Sequence, residues 1–137
     1  MLQYLHLTAD SDLPPLTSPR PYKAVVIIEI EVTDQRRTAI SRWLVETGCL
    51  YMMAFGSNCS GWDNSVDLAN LGQLHLGEIP EDSFVMTTWH EHEPLKDVFW
   101  FAKNCAFHPT IELTNTLIVH LSETDKSSTL KAEYDEA

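Results

Sequence analysis

Two histidines, two glutamates and a tryptophan stand together in TTWHEHEPLKD, residues 87–97. In an extended backbone His90 and His92 point to the same side, because strand side chains alternate with period two. Two imidazoles placed in this way need one further ligand to complete a zinc or iron shell. Glu31, Cys59 and His120 are the available groups, so the candidate metal set is His90, His92 and His120. The HxH pattern is weak by itself, since no HExxH and no cysteine pair accompanies it. A plainer reading puts Glu91 and Glu93 at a helix N-terminus ahead of Pro94, where acids complement the macrodipole.

A second chemistry centres on Cys59 in the loop GSNCSGWDN, residues 56–64. A thiol close to a helix start can ionise more readily. His90 would serve as its base, with Asp63 or Glu91 orienting the imidazole. Asp63 also opposes this, because a nearby carboxylate raises a thiol pKa. The catalytic candidates are therefore Cys59, His90 and Glu91. Glu29 and Glu31 share one face of a strand and could do acid–base work under a covered cleft. Glu29 reads more simply as the solvated end of its strand. His120 lies in an apolar run and reads as a hydrogen-bonded core histidine. Trp62 and Trp89 flank the same region, where an indole either stacks on a ligand, anchors a partner or is partly buried.

The elements that would position these groups follow from hydrophobic period. LQYLHL near the N-terminus alternates and suits an edge strand. Residues 9–21 are a proline-rich lead-in. KAVVIIEIEV, residues 23–32, is a strand: a β-branched run passes into alternation, with Ile28, Ile30 and Val32 on one face. Residues 33–48 form a helix capped by Thr33 or Asp34 and closed by Gly48, with Ile40, Trp43 and Leu44 in one stripe. Strands are predicted at 49–55, 83–89 and 115–122, and helices at 65–72 and 94–106. QLHLGEIPEDS is irregular, and the polar tail 123–137 is a frayed helix or loose chain.

The result is a single α/β domain over residues 1–137, with 1–22 as extended lead-in. Its β-α-β-α-β-α-β order predicts a small three-layer sandwich: a mostly parallel four-stranded sheet, an added N-terminal edge strand, and helices on both faces. The architecture resembles Rossmann-like and flavodoxin-like domains, and that likeness carries no function. The stretches YMMAFGSNCSGWD, FVMTTWHEHEPL and FWFAKN resemble a family of small bacterial proteins of unknown function, which implies no site roles. In such sheets ligands bind beyond the carboxyl ends of the strands. There the predicted strands gather Glu31, Cys59, Trp62, Trp89, His90 and His120.

Composition narrows the function. The net charge is −11, and residues 57–97 hold eight acids against one base, Lys96. An acidic protein repels phosphates and anionic lipid, so no nucleic acid and no membrane partner is expected. Neither GxGxxG nor GxxxxGK[ST] occurs, and acids at the helix starts would oppose a bound phosphate. Three cysteines without close spacing suit reduced thiols in a cytoplasmic protein. The preferred expectation is a small acidic binding protein of the immunity or inhibitor kind. It would engage a basic protein partner through Trp62, Asp63, Trp89, His90, Glu91, His92 and Glu93, with no cofactor. One alternative is a hydrolase or lyase assisted by a divalent metal at the His90–Glu91–His92 and Cys59 cluster. Another is a homodimer packed through Trp100 and Phe101.

Overall fold

Apolar strands alternating with capped helices dictate a layered α/β architecture. The computed structural model, which describes residues 1–15, 20–72 and 79–137, has that form. The strands are β1 (Leu2–Leu7), β2 (Tyr22–Ile28), β3 (Cys49–Gly56), β4 (Met86–His90) and β5 (Thr116–Leu121). The helices are α1 (Asp34–Glu46), α2 (Trp62–Gly72), α3 (Leu95–Asn104) and α4 (Ser127–Glu136). All strand pairs are parallel, in the order β1-β5-β2-β3-β4.

β2 is buried throughout, and its side chains divide between two cores. Ala24, Val26 and Ile28 meet Ile40 and Leu44 of α1 and Trp62 and Val66 of α2. Val25 and Ile27 meet Val98, Phe99 and Ala102 of α3 and Leu130 and Tyr134 of α4. Each Ile- or Leu-sized side chain so enclosed contributes about 1.5–3 kcal/mol relative to exposure. The three-layer sandwich with helices on both faces is therefore present. Its sheet has five strands, since β1 pairs with β5 along its whole length, from Leu2↔Thr116 to Leu7↔Leu121.

Several boundaries differ from the predicted ones. β2 stops at Ile28 and does not run to Val32, because both neighbours end there: Ile28 pairs with Gly56 and with Leu121. Ile30 and Val32 still pack on the α1–α2 core, which explains the misleading alternation. β4 starts three residues later than predicted, where its ladder with β3 begins at Tyr51↔Met86. α2 starts at Trp62 and not at residue 65, fed directly by a 3-10 turn over Cys59–Gly61.

The tail is a formed helix rather than loose chain. Leu130 and Tyr134, four residues apart, share one face and are buried. The Lys103 ammonium donates to the carbonyls of Tyr134, Asp135 and Ala137, where a cation complements the helix C-terminus. The lead-in is tied down: Arg36 donates to the carbonyls of Thr8 and Ser11, and Trp43 Nε1 to that of Pro14. Residues 16–19 of the lead-in and 73–78 of the predicted irregular segment lie outside the described residues. No helix among the described residues is long and apolar enough to cross a membrane.

Gly56 closes β3 at φ +106°, a conformation that L side chains rarely adopt. A Cβ there would sit 2.2 Å from the carbonyl oxygen of Ile28. The glycine lets the ends of β2 and β3 approach closely, with Ser57 N–H donating to that same carbonyl.

Candidate functional site

Because every strand is parallel, their carboxyl ends share one rim, at Ile28, Gly56, His90 and Leu121. The chain leaves β2 into α1 on one face of the sheet. It leaves β5 toward α4 on the other. β2 and β5 are adjacent, so a crevice opens between their ends, as at the topological switch point of doubly wound sheets. The crevice measures about 660 Å³ and is lined by Glu29, Ile30 and Glu31 on one side and Ser122, Glu123 and Thr124 on the other. A smaller hollow of about 360 Å³ at the opposite edge is lined largely by Val45, Leu50, Val85 and Ile111, with Arg20 and Asp82 its charged groups. The switch-point crevice holds the denser chemistry.

Behind its acidic lip runs a circuit of hydrogen bonds closed by one ion pair. His120 is fully buried on β5, and its Nε2 lies 2.5 Å from Oε1 of Glu29. Its Nδ1 lies 2.7 Å from the Tyr4 hydroxyl on β1. The Tyr4 oxygen accepts from the backbone N–H of Lys126 at 3.0 Å, and the Lys126 ammonium sits 3.6 Å from Oε2 of Glu29. These partners set the protons: Tyr4 O–H donates to Nδ1, and Nε2–H donates to the carboxylate. Burial raises the Glu29 pKa, but the hydrogen bond from His120 and the attraction of the imidazole N–H and the Lys126 ammonium outweigh it, leaving the carboxyl below its ordinary value. Burial pushes the Tyr4 phenol up, which keeps it neutral. The Ser122 hydroxyl gives its proton to the Thr124 carbonyl at 2.6 Å, so His120 does not activate it. Only Glu29 of this circuit presents a charged, 41% exposed side chain to the crevice. It can hold a cation or accept a proton. Glu29 is thus a built residue rather than a merely solvated strand end.

The far end of the rim contradicts the predicted metal set. His90, Phe55, Ile27 and His120 occupy one row across β4, β3, β2 and β5. Three strand spacings separate the two histidines, about 14 Å. His92 is turned away from both by a left-handed backbone, φ +63°, and its side chain is 95% exposed. The segment is a turn there rather than an extended strand, so the alternation argument fails. Among the described residues no group of three His, Cys, Asp or Glu gathers to hold a metal.

The His90 ring is enclosed. Its Nδ1 donates to Glu93 at 2.6 Å, its Nε2 accepts from the Thr88 hydroxyl at 2.9 Å, and Phe101 meets it edge-on at 4.9 Å between centroids. The Cys59 thiol is buried against the backbone of His90 and makes no hydrogen bond to its ring. Burial raises its pKa, the His90 amide offsets part of this, and Glu91 adds to the rise. A Cys59–His90 nucleophile pair is therefore absent. Trp62 is 2% exposed and belongs to the core, so it cannot stack on a ligand or touch a partner. Trp89 is 48% exposed, and Glu91, His92 and Glu93 stand open beside it. Asp63 is half-buried at the start of α2. Phe101 turns inward onto Tyr51 and His90, leaving Trp100 as the exposed aromatic of α3.

Sequence reasoning missed Tyr4, His6 and Lys126. The first two carried a signal: polar aromatics at alternate positions of LQYLHL must face one side of the sheet. His6 joins the same face, its ring 6.0 Å from that of His120 and its Nε2 within 2.9 Å of the Ser122 carbonyl. Lys126 carried none, because its role depends on where α4 begins.

The family model described as Domain of unknown function (DUF7684) matches residues 2–137. No curated protein and no solved structure matches the chain.

Proposed function

The chain belongs to that family, and we propose that it is a binding protein whose acidic carboxyl rim engages a basic partner protein. One observation carries this reading. The candidate nucleophile Cys59 and the candidate bases His90 and His120 are buried, and both imidazoles are already partnered. Carboxylates dominate what the rim offers to solvent: Glu29, Glu31, Glu91, Glu93 and Glu123 stand open there, with the indole of Trp89, the His92 imidazole and the Lys126 ammonium among them. Charge steers encounter with a cationic surface, and an exposed tryptophan is a typical anchor. Immunity or inhibitor activity against a basic protein is the specific form this takes. The acidity disfavours nucleic acid and anionic membrane as partners. Three unpaired cysteines suit a cytoplasmic setting.

Titration with a lysine-rich peptide, followed by calorimetry at low and high salt, tests the reading. Binding that weakens steeply as the Debye length shrinks below about 8 Å supports it. Absence of binding at low salt overturns it. Self-association through Trp100, which is 53% exposed, is the second arrangement the surface offers. Sedimentation of the wild type and Trp100→Glu separates it from the first, since only a dimer packed there dissociates in the variant.

A further inference from the structure

We infer that the outer edge of β4 accepts an extended basic segment of the partner as a sixth strand. This rests on the binding reading above and specifies its geometry. β4 ends the sheet, and among the described residues nothing pairs with its outer side. An edge strand in a parallel sheet turns alternate N–H and C=O groups outward, a template for a further strand.

The opposite edge is occupied differently. On β1, Tyr4 is held by His120 and Lys126, and His6 by Ser122, and no aromatic there is exposed as Trp89 is. On β4 the side chains fall into two rows. Trp89 and Thr87 face the α1–α2 side, since Trp89 pairs in register with the core residue Ala54. Thr88 and His90 face α3. An added strand would lay alternate side chains beside Trp89, giving backbone affinity and side-chain selectivity together.

Charge selects the occupant. Asp67 touches β4 through the Thr87 hydroxyl at 3.1 Å, and Asp63 lies one helical turn nearer the rim. Glu91 and Glu93 flank the carboxyl end of β4, and Glu81 and Asp82 precede its amino end. A second copy docking antiparallel would set acids against acids at both ends, which disfavours self-pairing. An extended segment rich in lysine or arginine meets opposite charge at both ends of the strand and beside Thr87.

The test uses the full chain, labelled with nitrogen-15, and a peptide of about seven residues alternating lysine with threonine, long enough to cover a typical strand. A second peptide keeps the lysines but replaces the threonines by proline, which cannot join a ladder. Expected is protection from hydrogen exchange at backbone amides of Met86–His90 with the first peptide alone. Trp89→Ala should weaken that binding roughly tenfold or more, as truncation of an aromatic anchor does. Equal binding of the proline peptide, or protection at β1, overturns strand addition while leaving an acidic binding rim intact. Failure of both peptides at low salt overturns strand addition together with the proposed function.

Discussion

The imidazole of His120 and the carboxylate of Glu29 lie 2.5 Å apart although 91 residues separate them in the chain. They meet because β5 and β2 are neighbours at the switch point, with Ile27 in register beside His120. The pair joins the crevice to the buried face of the sheet, and its removal has calculable effects.

Glu29→Gln is expected to cost about 1–2 kcal/mol at neutral pH, a charged hydrogen bond discounted for the exposed carboxylate. The pH dependence has a definite sign. The Glu29 carboxyl lies below its ordinary value of 4.5 in the folded chain. Such a group contributes stability that is whole above the unfolded pKa and is lost as pH falls through the folded one. The gap between wild type and variant in urea midpoint should therefore shrink as pH falls from about 5 toward 3. A gap that stays constant over this window would show that Glu29 is not the ionised partner.

Tyr4→Phe removes the donor to His120 Nδ1 and the acceptor for the Lys126 amide. The buried imidazole nitrogen is then left without a donor, since the Ser122 hydroxyl 3.4 Å away gives its proton to the Thr124 carbonyl, so a loss of about 1–2 kcal/mol is expected. Because the lost contact also holds the start of α4, amide exchange should rise most in residues 127–130. Uniform acceleration across the whole sheet would contradict this.

Thiol labelling separates the binding and nucleophile readings. Cys105 is exposed, Cys49 and Cys59 are buried, and burial pushes the Cys49 thiol up to about 12. One thiol per chain should react quickly with iodoacetamide in the native protein, and all three after unfolding in urea. Rapid native labelling of Cys59 that disappears in His90→Ala would restore the enzyme hypothesis.

Gly56→Ala is expected to destabilise by about 1–3 kcal/mol or more, through a strained backbone and a clash with the Ile28 carbonyl. Thermal melting measures it. A melting temperature unchanged from wild type would mean that the ends of β2 and β3 separate without cost.

Legibility in the sequence followed locality. β2, β3 and α1 were readable because Val25–Ile28, the YMMAF run and the Thr33 cap signal through neighbours a few residues apart. Thr33 does cap α1, its side chain accepting from the Arg36 amide. The common rim was readable as well, since alternation of strands and helices forces parallel strands. The site itself was not. His120 is legible as a hydrogen-bonded core histidine, and it is one; its pairing with Glu29 is not legible, because no local pattern encodes strand order. Trp62 misled for a related reason: it is adjacent to loop residues but begins α2 with its indole turned into the core. In TTWHEHEP the left-handed turn at His92 undid an argument that assumed an extended backbone.

β1 precedes the other strands, yet among the described residues its sole strand neighbour is β5, whose last residue is Leu121. During synthesis, Leu2–Leu7 must wait on the ribosome without a pairing partner until nearly the whole domain has emerged. The stretch from β2 to β4 can meanwhile assemble through consecutive crossovers. Registering β1 then closes the longest loop in the molecule, a slow step by chain-entropy arguments. A nascent chain arrested before β5 would thus carry β1 without its partner strand.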